Sequence, residues 1–590
     1  MKKKTKTNEI KAIEPITRTK CVGTYQKSRG FGFVIPDNRR EVGTDIFVPK
    51  EASRHAKNGD KVVVKITKMP IRDRKAEGKV IEVLGKANEA GVDMLSLIRD
   101  YDLPYEFPEE VLIEAGKIPQ EVDQVEASKR RDFRTGYNIF TIDGEDAKDL
   151  DDAVCVRRND NGNYLLDVHI ADVSHYVKEG SKLDREAILR GTSIYMLDRV
   201  IPMLPVELSN GICSLNAGQD RLALSCLMEI DKEGKVVNSE IVKSVIRVCE
   251  RMSYTNVNKI LNDLDKDVTA RYKDYINDFK LMEELAHVLK DRRLKDGYLN
   301  LDIPESKIIL DENGVCVDVK PYETTFANEI IEQFMLTANE TVAEKYFWME
   351  APFIYRVHEV PDYDKIRETN TFLESIGKRI KVTQNNIFPK AFSDVLDEIK
   401  GTEYEKVIST LILRTLKQAR YDHENKGHFG IASKYYCHFT SPIRRYPDLF
   451  IHRVISNYSE YIEEGRIELI EERADEYAVS SSERERVAVK VERDAEDIKK
   501  AEFMQNKIGE EYEGIISGVT SFGIFVELPS TVEGLVHLED MGSDEFFDYS
   551  EQEKNLMGIE TGKIYKIGDK VKVRVIYANK NLRRINFELI

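Results

Sequence analysis

The stretch TIDGEDAKDLDDAV, residues 141–154, sets four carboxylates, Asp143, Asp149, Asp151 and Asp152, between two apolar ends. The Thr-Ile before and the Ala-Val after read as the ends of two strands, with the acidic run as the loop between them. Four like charges converging on one site repel and shift one another's protonation. A divalent cation removes that repulsion. Magnesium takes oxygen ligands and keeps some of its waters, so carboxylates plus a substrate phosphate suit it. Two ions about 4 Å apart can activate water and stabilise the leaving oxygen in phosphodiester cleavage. Two plainer readings stay open beside this one, a solvated acidic loop and a calcium loop. The EF-hand spacing fails, because Gly144 stands second where glycine should be sixth and Ala147 occupies a ligand position.

Outward from this loop, the chain reads as a multidomain α+β protein. Strand-like runs such as NYLLDVHIADV and RLALSCLMEID follow it, then helical patterns such as NEIIEQFMLTANETVAEKYF, with apolar residues at helical spacing. Residues 459–507 form a charged helical stretch. The two ends are alike in kind. Residues 20–86 (KCVGTYQ, RGFGFVIP, TDIFVP, DKVVVKITKM) and 508–590 (EYEGIISGV, GIFVEL, EGLVHLEDM, DKVKVRVIYA, RRINFEL) hold short β-rich runs between Gly-, Asp- and Asn-rich turns. Each predicts a small β-barrel. The organisation is then a basic tail (1–19), a barrel (20–86), a Pro- and Glu-rich connector (87–135), a mixed α/β body (136–507) and a second barrel (508–590).

A second informative stretch is HFGIASKYYCHFTSPIRRYPDLFIHR, residues 428–453. Ser441-Pro442 reads as an N-cap and first helical position. Arg444 then falls in the first turn beside Arg445, with Asp448 and His452 at four-residue steps on the face of Arg444. Free N–H groups at a helix start and a bidentate guanidinium suit a phosphate. An ordinary capped helix with an Arg–Asp pair is the plainer alternative. In the first barrel, Phe31 and Phe33 share a strand face, Lys27 and Arg29 flank them, and Phe47 lies on the next apolar run. Rings among cations form a stacking platform for single-stranded nucleic acid; a barrel core is the alternative use for them.

The chain has 590 residues, 41% hydrophobic and 33% charged, as a soluble globular protein does. No run nears the roughly 20 apolar residues a membrane span needs, and the basic N-terminus has no apolar run behind it to read as a secretory signal. The seven cysteines are odd in number and contain no C-x-x-C pair, which fits a reducing cytoplasm. A formal net charge of −16 argues against a nucleic-acid partner only weakly, because phosphates respond to local basic grooves. GIETGK lacks Walker A spacing, and Ile564 stands where Ser or Thr is required, so an ATP-driven helicase is not supported.

The stretches DGEDAKDLDDAV, GTSIYMLDRVIPMLPVELSNGICSLN, NEIIEQFMLTANE and HFGIA…YxxFTSPIRRYPD together resemble the catalytic domain of the ribonuclease II/ribonuclease R (RNB) family, over residues ~130–505. The first barrel resembles a cold-shock domain and the second an S1 domain, both of the OB-fold, in the order that ribonuclease R uses. The resemblance implies a processive, hydrolytic 3′→5′ exoribonuclease that releases nucleoside 5′-monophosphates with little sequence preference. It implies metal binding and catalysis by Asp143, Asp149, Asp151 and Asp152, with Asp151 organising the attacking water and Arg444 gripping the phosphate. Tyr195 takes the position of the tyrosine that stacks on the 3′-terminal base, and Glu492 that of a glutamate near the RNA end. From the residues alone, Tyr195 reads equally as core and Glu492 as a solvated helix charge. Phe522, Phe525 and His537 match the RNA-facing positions of the S1 family, Arg584 matches a late basic one, and Asn579 replaces a usual Asp. Magnesium, with manganese as the alternative, is the implied cofactor. RNA is the implied partner, with a single-stranded 3′ end or structured; no ATP is required, the chain acts as a monomer, and ribosome or trans-translation association fits the family. The fuller ribonuclease R pattern has an N-terminal helix-turn-helix region, a further cold-shock domain and a lysine-rich tail. Without them, weaker capture of structured RNA is expected. A non-catalytic RNA-binding or chaperone protein on the same fold is the alternative, which the intact aspartates and Arg444 argue against, as is a ribonuclease II-like enzyme limited to single strands.

Overall fold

The computed structural model describes residues 19–37, 43–70, 75–301, 303–402, 404–458, 464–542, 545–551 and 553–590. The expected basic tail lies outside them except for Thr19. The N-terminal barrel closes from β1 (Lys20–Lys27), β2 (Phe31–Pro36), β3 (Ile46–Pro49), β4 (Asp60–Lys68) and β5 (Glu77–Lys86), in the order β1-β2-β3-β5-β4. Its interior is aliphatic, with Val34, Ile46, Val48, Val62, Val64 and Val80 buried. Gly32, between Phe31 and Phe33, must lack a side chain: a Cβ there would stand 2.3 Å from the Tyr25 ring. The two flanking rings are thereby left on the other face of β2.

The stretch expected as a connector is folded. It carries α1 (Val92–Asp100) and two shorter helices, and its last residues form β6 (Arg131–Phe133), an edge strand of the central sheet. That sheet has seven strands. β7 (Phe140–Asp143), β8 (Asp152–Arg158) and β9 (Tyr164–Ala171) come first in the chain. A two-stranded ribbon, β10 (Ile194–Tyr195) with β11 (Val200–Ile201), intervenes before β12 (Asp220–Ile230), β13 (Val236–Arg247) and β14 (Glu250–Ser253). The spatial order is β14-β7-β8-β9-β12-β13-β6. Neighbours are antiparallel except for the outermost pairs, where β14 runs parallel to β7 and β6 parallel to β13. Helices α2 (Ile276–Asp296) and α3 (Phe326–Trp348) pack into the same core, through Phe279, Met282, Phe334 and Ala338 among others. No helix among the described residues is long and apolar enough to cross a membrane, and all seven cysteines are free.

The C-terminal barrel repeats the first one's topology. β15 (Glu511–Thr520), β16 (Gly523–Glu527), β17 (Glu533–His537), β18 (Lys570–Asn579) and β19 (Arg584–Leu589) close in the order β15-β16-β17-β19-β18. After α4 (Tyr446–Tyr458), the helix α5 (Glu464–Gln505) ties the parts together. Its Lys499, 2% exposed, donates to Asp93 of α1 at 2.7 Å, to Glu502 at 3.0 Å and to the carbonyl of Gly314. Glu502 also accepts from Lys580 of the C-terminal barrel at 2.7 Å. The Lys499 ammonium is held above its usual range and Glu502 below its own by these partners, against the opposing effect of burial. Removing one member of such a network leaves buried charge uncompensated, which costs about 3–5 kcal/mol. Lys499→Met is therefore expected to lower the first unfolding transition in denaturant by that order. A change under about 1 kcal/mol would show that water relieves Asp93 and Glu502.

Candidate active site

The acidic loop spans the gap between the last residue of β7, Asp143, and the first of β8, Asp152. Backbone bonds fix it. The Asp151 carbonyl accepts from Ala171 N–H and the Leu150 carbonyl from Leu215 N–H. Ser214 donates its hydroxyl to the Lys148 carbonyl at 2.8 Å and accepts from Leu150 N–H at 3.2 Å. Arg251 of β14 donates to the carbonyls of Glu145 and Ala147, both at 2.7 Å.

Asp151 is 4% exposed. Its Oδ1 accepts from Ile443 N–H at 2.8 Å, and its Oδ2 faces Arg444 Nε at 3.7 Å. Burial raises its pKa, with Arg444 and the Ile443 amide opposing. Burial likewise raises Asp143, with Asp149 adding to the effect, and Asp152, with Asp143 adding. Asp149 instead accepts from the Tyr195 hydroxyl at 2.7 Å. Tyr195 is 38% exposed, so its ring is open at the site rather than part of the core. Its N–H donates to Glu492 of α5 at 2.9 Å. Glu492 is half-buried, and burial raises its pKa against that amide; it is not a fully solvated helix charge. Contacts thus join Asp149, Tyr195 and Glu492 in one chain and Asp151 to the Ile443–Arg444 turn, while Asp143 and Asp152 lie near enough to feel each other's charge and that of Arg444.

The segment around Arg444 differs from its sequence reading. Helix α4 starts at Tyr446, and residues 442–444 form a turn ahead of it. Ser441 does not cap the helix; its own N–H donates to Asp448 at 2.8 Å. Pro447 explains the start, since proline is tolerated in a first turn but not further in. Asp448 pairs with Arg445 at 2.7 Å, not with Arg444, and His452 bonds the Phe439 carbonyl in the core. Arg444 keeps a side chain 42% exposed. The amide serving the site is that of Ile443, in the turn, and its acceptor is a carboxylate of the protein itself.

A metal fits this chemistry in one respect. Asp143 Oδ2 and Asp151 Oδ2 are buried acceptors that no hydrogen-bond donor among the described residues satisfies, a state that is costly unless something cationic or protic completes it. Among the described residues, however, no three carboxylate, imidazole or thiolate side chains meet as a preformed cage. Arg251, which pins the loop and lowers the Asp143 pKa, was not singled out from sequence; nothing in RMSYTNV marks it. Ser214 lies in a quoted motif but had no assigned role.

On the barrels, Phe31, Phe33 and Phe47 lie half-exposed on the outer face, with Phe33 directly opposite Phe47 across the strands. Their centroids are 5.5–5.9 Å apart, and Lys75 Nζ sits 4.8 Å over the Phe33 ring. Phe522 is 50% exposed and lies edge-on to Phe525. His537 is half-exposed on β17, opposite Gly523. These two groups of rings sit on separate barrels and are not part of the aspartate site.

The RNB domain profile matches residues 130–461, a cold-shock domain profile residues 33–108 and the S1 RNA-binding domain profile residues 505–590. The chain is 46% identical to Ribonuclease R 1 of Lactococcus lactis over 90% of its own length and 65% of that protein's. It is 43% identical to Ribonuclease R of Thermotoga maritima over 97% of its own length and 80% of the relative's. The solved structure of Mycoplasma genitalium RNase R in complex with ribose-methylated single-stranded RNA superposes with a TM-score of 0.91 at 28% identity, covering 97% of this chain and 90% of that one. With the RNB profile covering more than half of its length and these relatives matching nearly all of it, the chain belongs to the RNB family, alongside the 3′→5′ exoribonucleases of the ribonuclease R type.

Proposed function

We propose that this protein is a processive, hydrolytic 3′→5′ exoribonuclease of the cytoplasm, acting as a monomer in RNA decay and quality control. The observation that carries this reading is the setting of Asp151, with one oxygen fixed by the Ile443 amide and the other facing Arg444 at 3.7 Å, beside an exposed tyrosine ring. The barrel rings hold successive bases of a single strand by stacking, which tolerates any sequence. Tyr195 stacks on the 3′-terminal base. Its hydroxyl steadies Asp149, and Glu492 steadies its backbone. Arg444, with its exposed guanidinium, takes the scissile phosphate.

Asp143, Asp149, Asp151 and Asp152 would hold magnesium, with manganese as the alternative, and the bound ion would supply water activation and charge stabilisation. Asp151 Oδ2 orients the attacking water. The new P–O bond forms as the bond to the preceding 3′ oxygen breaks. The strand regains a 3′-hydroxyl, and a nucleoside 5′-monophosphate leaves. Discrimination against DNA needs contacts to the 2′-hydroxyl.

Asp151→Asn is expected to lower turnover of single-stranded RNA by about a thousandfold or more, since charge stabilisation of several kcal/mol is lost, while RNA affinity stays within about twofold. Normal turnover by the variant would remove Asp151 from the mechanism. Tyr195→Ala is expected to leave longer end products on a denaturing gel, because the last nucleotides lose their stacking partner; an unchanged ladder would contradict that role. Chelation with EDTA should stop cleavage and excess magnesium restore it, and RNA bound but intact under saturating magnesium would favour a silent RNA-binding protein.

A further inference from the structure

A cavity of about 900 Å³ lies away from the aspartate site. It lies between the β12–β13 turn, α2, α3 and residues 431–435. The strand register places it: Asp152 is level with Ile170, Leu224 and Lys243 across the sheet. The cavity begins near Asn238 on β13, three strands over. That is about 17 Å along the strand and about 14 Å across it.

Two features of this groove are unexplained by the activity proposed above. The first is charge. Lys235, Lys345 and Lys434 line it, and none has an ion-pair partner among the described residues, whereas the lining Arg293 is paired with Glu340 at 2.7 Å and Arg292 approaches Asp296 at 3.7 Å. Glu344 lines the groove as well, so among the described residues three unpaired lysines face one unpaired carboxylate there, a surplus of positive charge that suits an anion in a chain of net charge −16. The second is aromatic. Tyr435, which lines it, contacts Phe347 and Trp348 just outside the lining, with centroids at 4.8 and 6.3 Å, and Phe347 meets Trp348 edge-on at 5.5 Å. Trp348 is 70% exposed and is the one tryptophan of the chain. An exposed indole with two further rings offers a face to a planar ligand, and the lysines beside it suit that ligand's phosphate.

We infer that this groove is a second nucleotide-binding site, remote from the aspartates, at which the Phe347–Trp348–Tyr435 cluster stacks a base and Lys345 and Lys434 hold its phosphate. The ligand is a base carrying a 5′-phosphate, either free or as part of a strand. The site does not depend on hydrolysis, so its test stands apart from that of the nuclease reading.

Trp348 is its own reporter. The full-length Asp151→Asn protein, with tryptophan emission followed, is titrated with adenosine 5′-monophosphate and separately with a short oligoadenylate. Saturable quenching by either supports the site. Quenching by the mononucleotide identifies free nucleotide as sufficient, and quenching by the oligonucleotide alone identifies a strand. The Lys345→Ala/Lys434→Ala pair, at solvent-accessible positions that leave the core intact, should weaken the response about tenfold, equivalent to about 1.4 kcal/mol. Emission unmoved by both probes would overturn the proposal and leave the ring cluster as a protein contact. So would quenching that is equally strong in the double-lysine variant.

Discussion

The burial of carboxylates at the β7–β8 junction is the constraint on which the rest of the catalytic body turns. Asp151 is nearly inaccessible, in a loop held by bonds to its backbone from Ala171, Leu215, Ser214 and Arg251. One of its oxygens is satisfied by the Ile443 amide, 292 residues further along the chain. Burying a carboxylate without partners is prohibitive, so the loop and the turn before α4 can settle only together. The Ser193 and Thr192 contacts to the Arg444 carbonyl draw the Tyr195 ribbon to the same turn. Three segments far apart in sequence are thereby committed to one point by the cost of leaving one acidic group alone.

Helix α5 extends that commitment to the barrels. Within eleven residues it presents Glu492 to the Tyr195 amide, Asp494 to Tyr101 and Arg583, Lys499 to Asp93, and Glu502 to Lys580. Arg583 and Lys580 belong to the C-terminal barrel region, and Asp93 and Tyr101 to the segment that follows the N-terminal one. The rod that touches the site therefore also anchors the C-terminal barrel and the helix that follows the N-terminal one. Buried ion pairs are a costly way to gain stability, but they are specific about geometry.

The sequence made the barrels legible because alternation of buried and exposed residues is a local signal, and RGFGFVIP carries it in full. The need for Gly32 was not legible, because it comes from the Tyr25 ring on the neighbouring strand, which leaves no room for a Cβ. The acidic loop could be read as a loop between strands because its flanks are apolar. Its division of labour could not, because Asp149 turns to Tyr195 while Asp151 turns to Ile443, and both partners are distant in the chain. The start of α4 was misplaced because Ser441-Pro442 and Tyr446-Pro447 carry competing signals. The tertiary demand of Asp448 for the Ser441 amide decided between them. Arg251 left no trace in the sequence, since its role is to bond carbonyls of a loop more than a hundred residues earlier.

The adjacent arginines are put to different uses by the fold. Arg445 is buried and spent on Asp448. Arg444, one residue earlier, lies in a turn, keeps 42% of its side chain exposed, and faces Asp151 at 3.7 Å, beyond hydrogen-bonding distance. An arginine already engaged with a carboxylate has little left for phosphate, because its donors are used and its charge is offset. The turn before α4 thus leaves two neighbouring guanidinium groups in unlike settings, Arg445 buried against Asp448 and Arg444 half-exposed beside Asp151, with its Nη2 donating to the Ser441 hydroxyl at 3.0 Å.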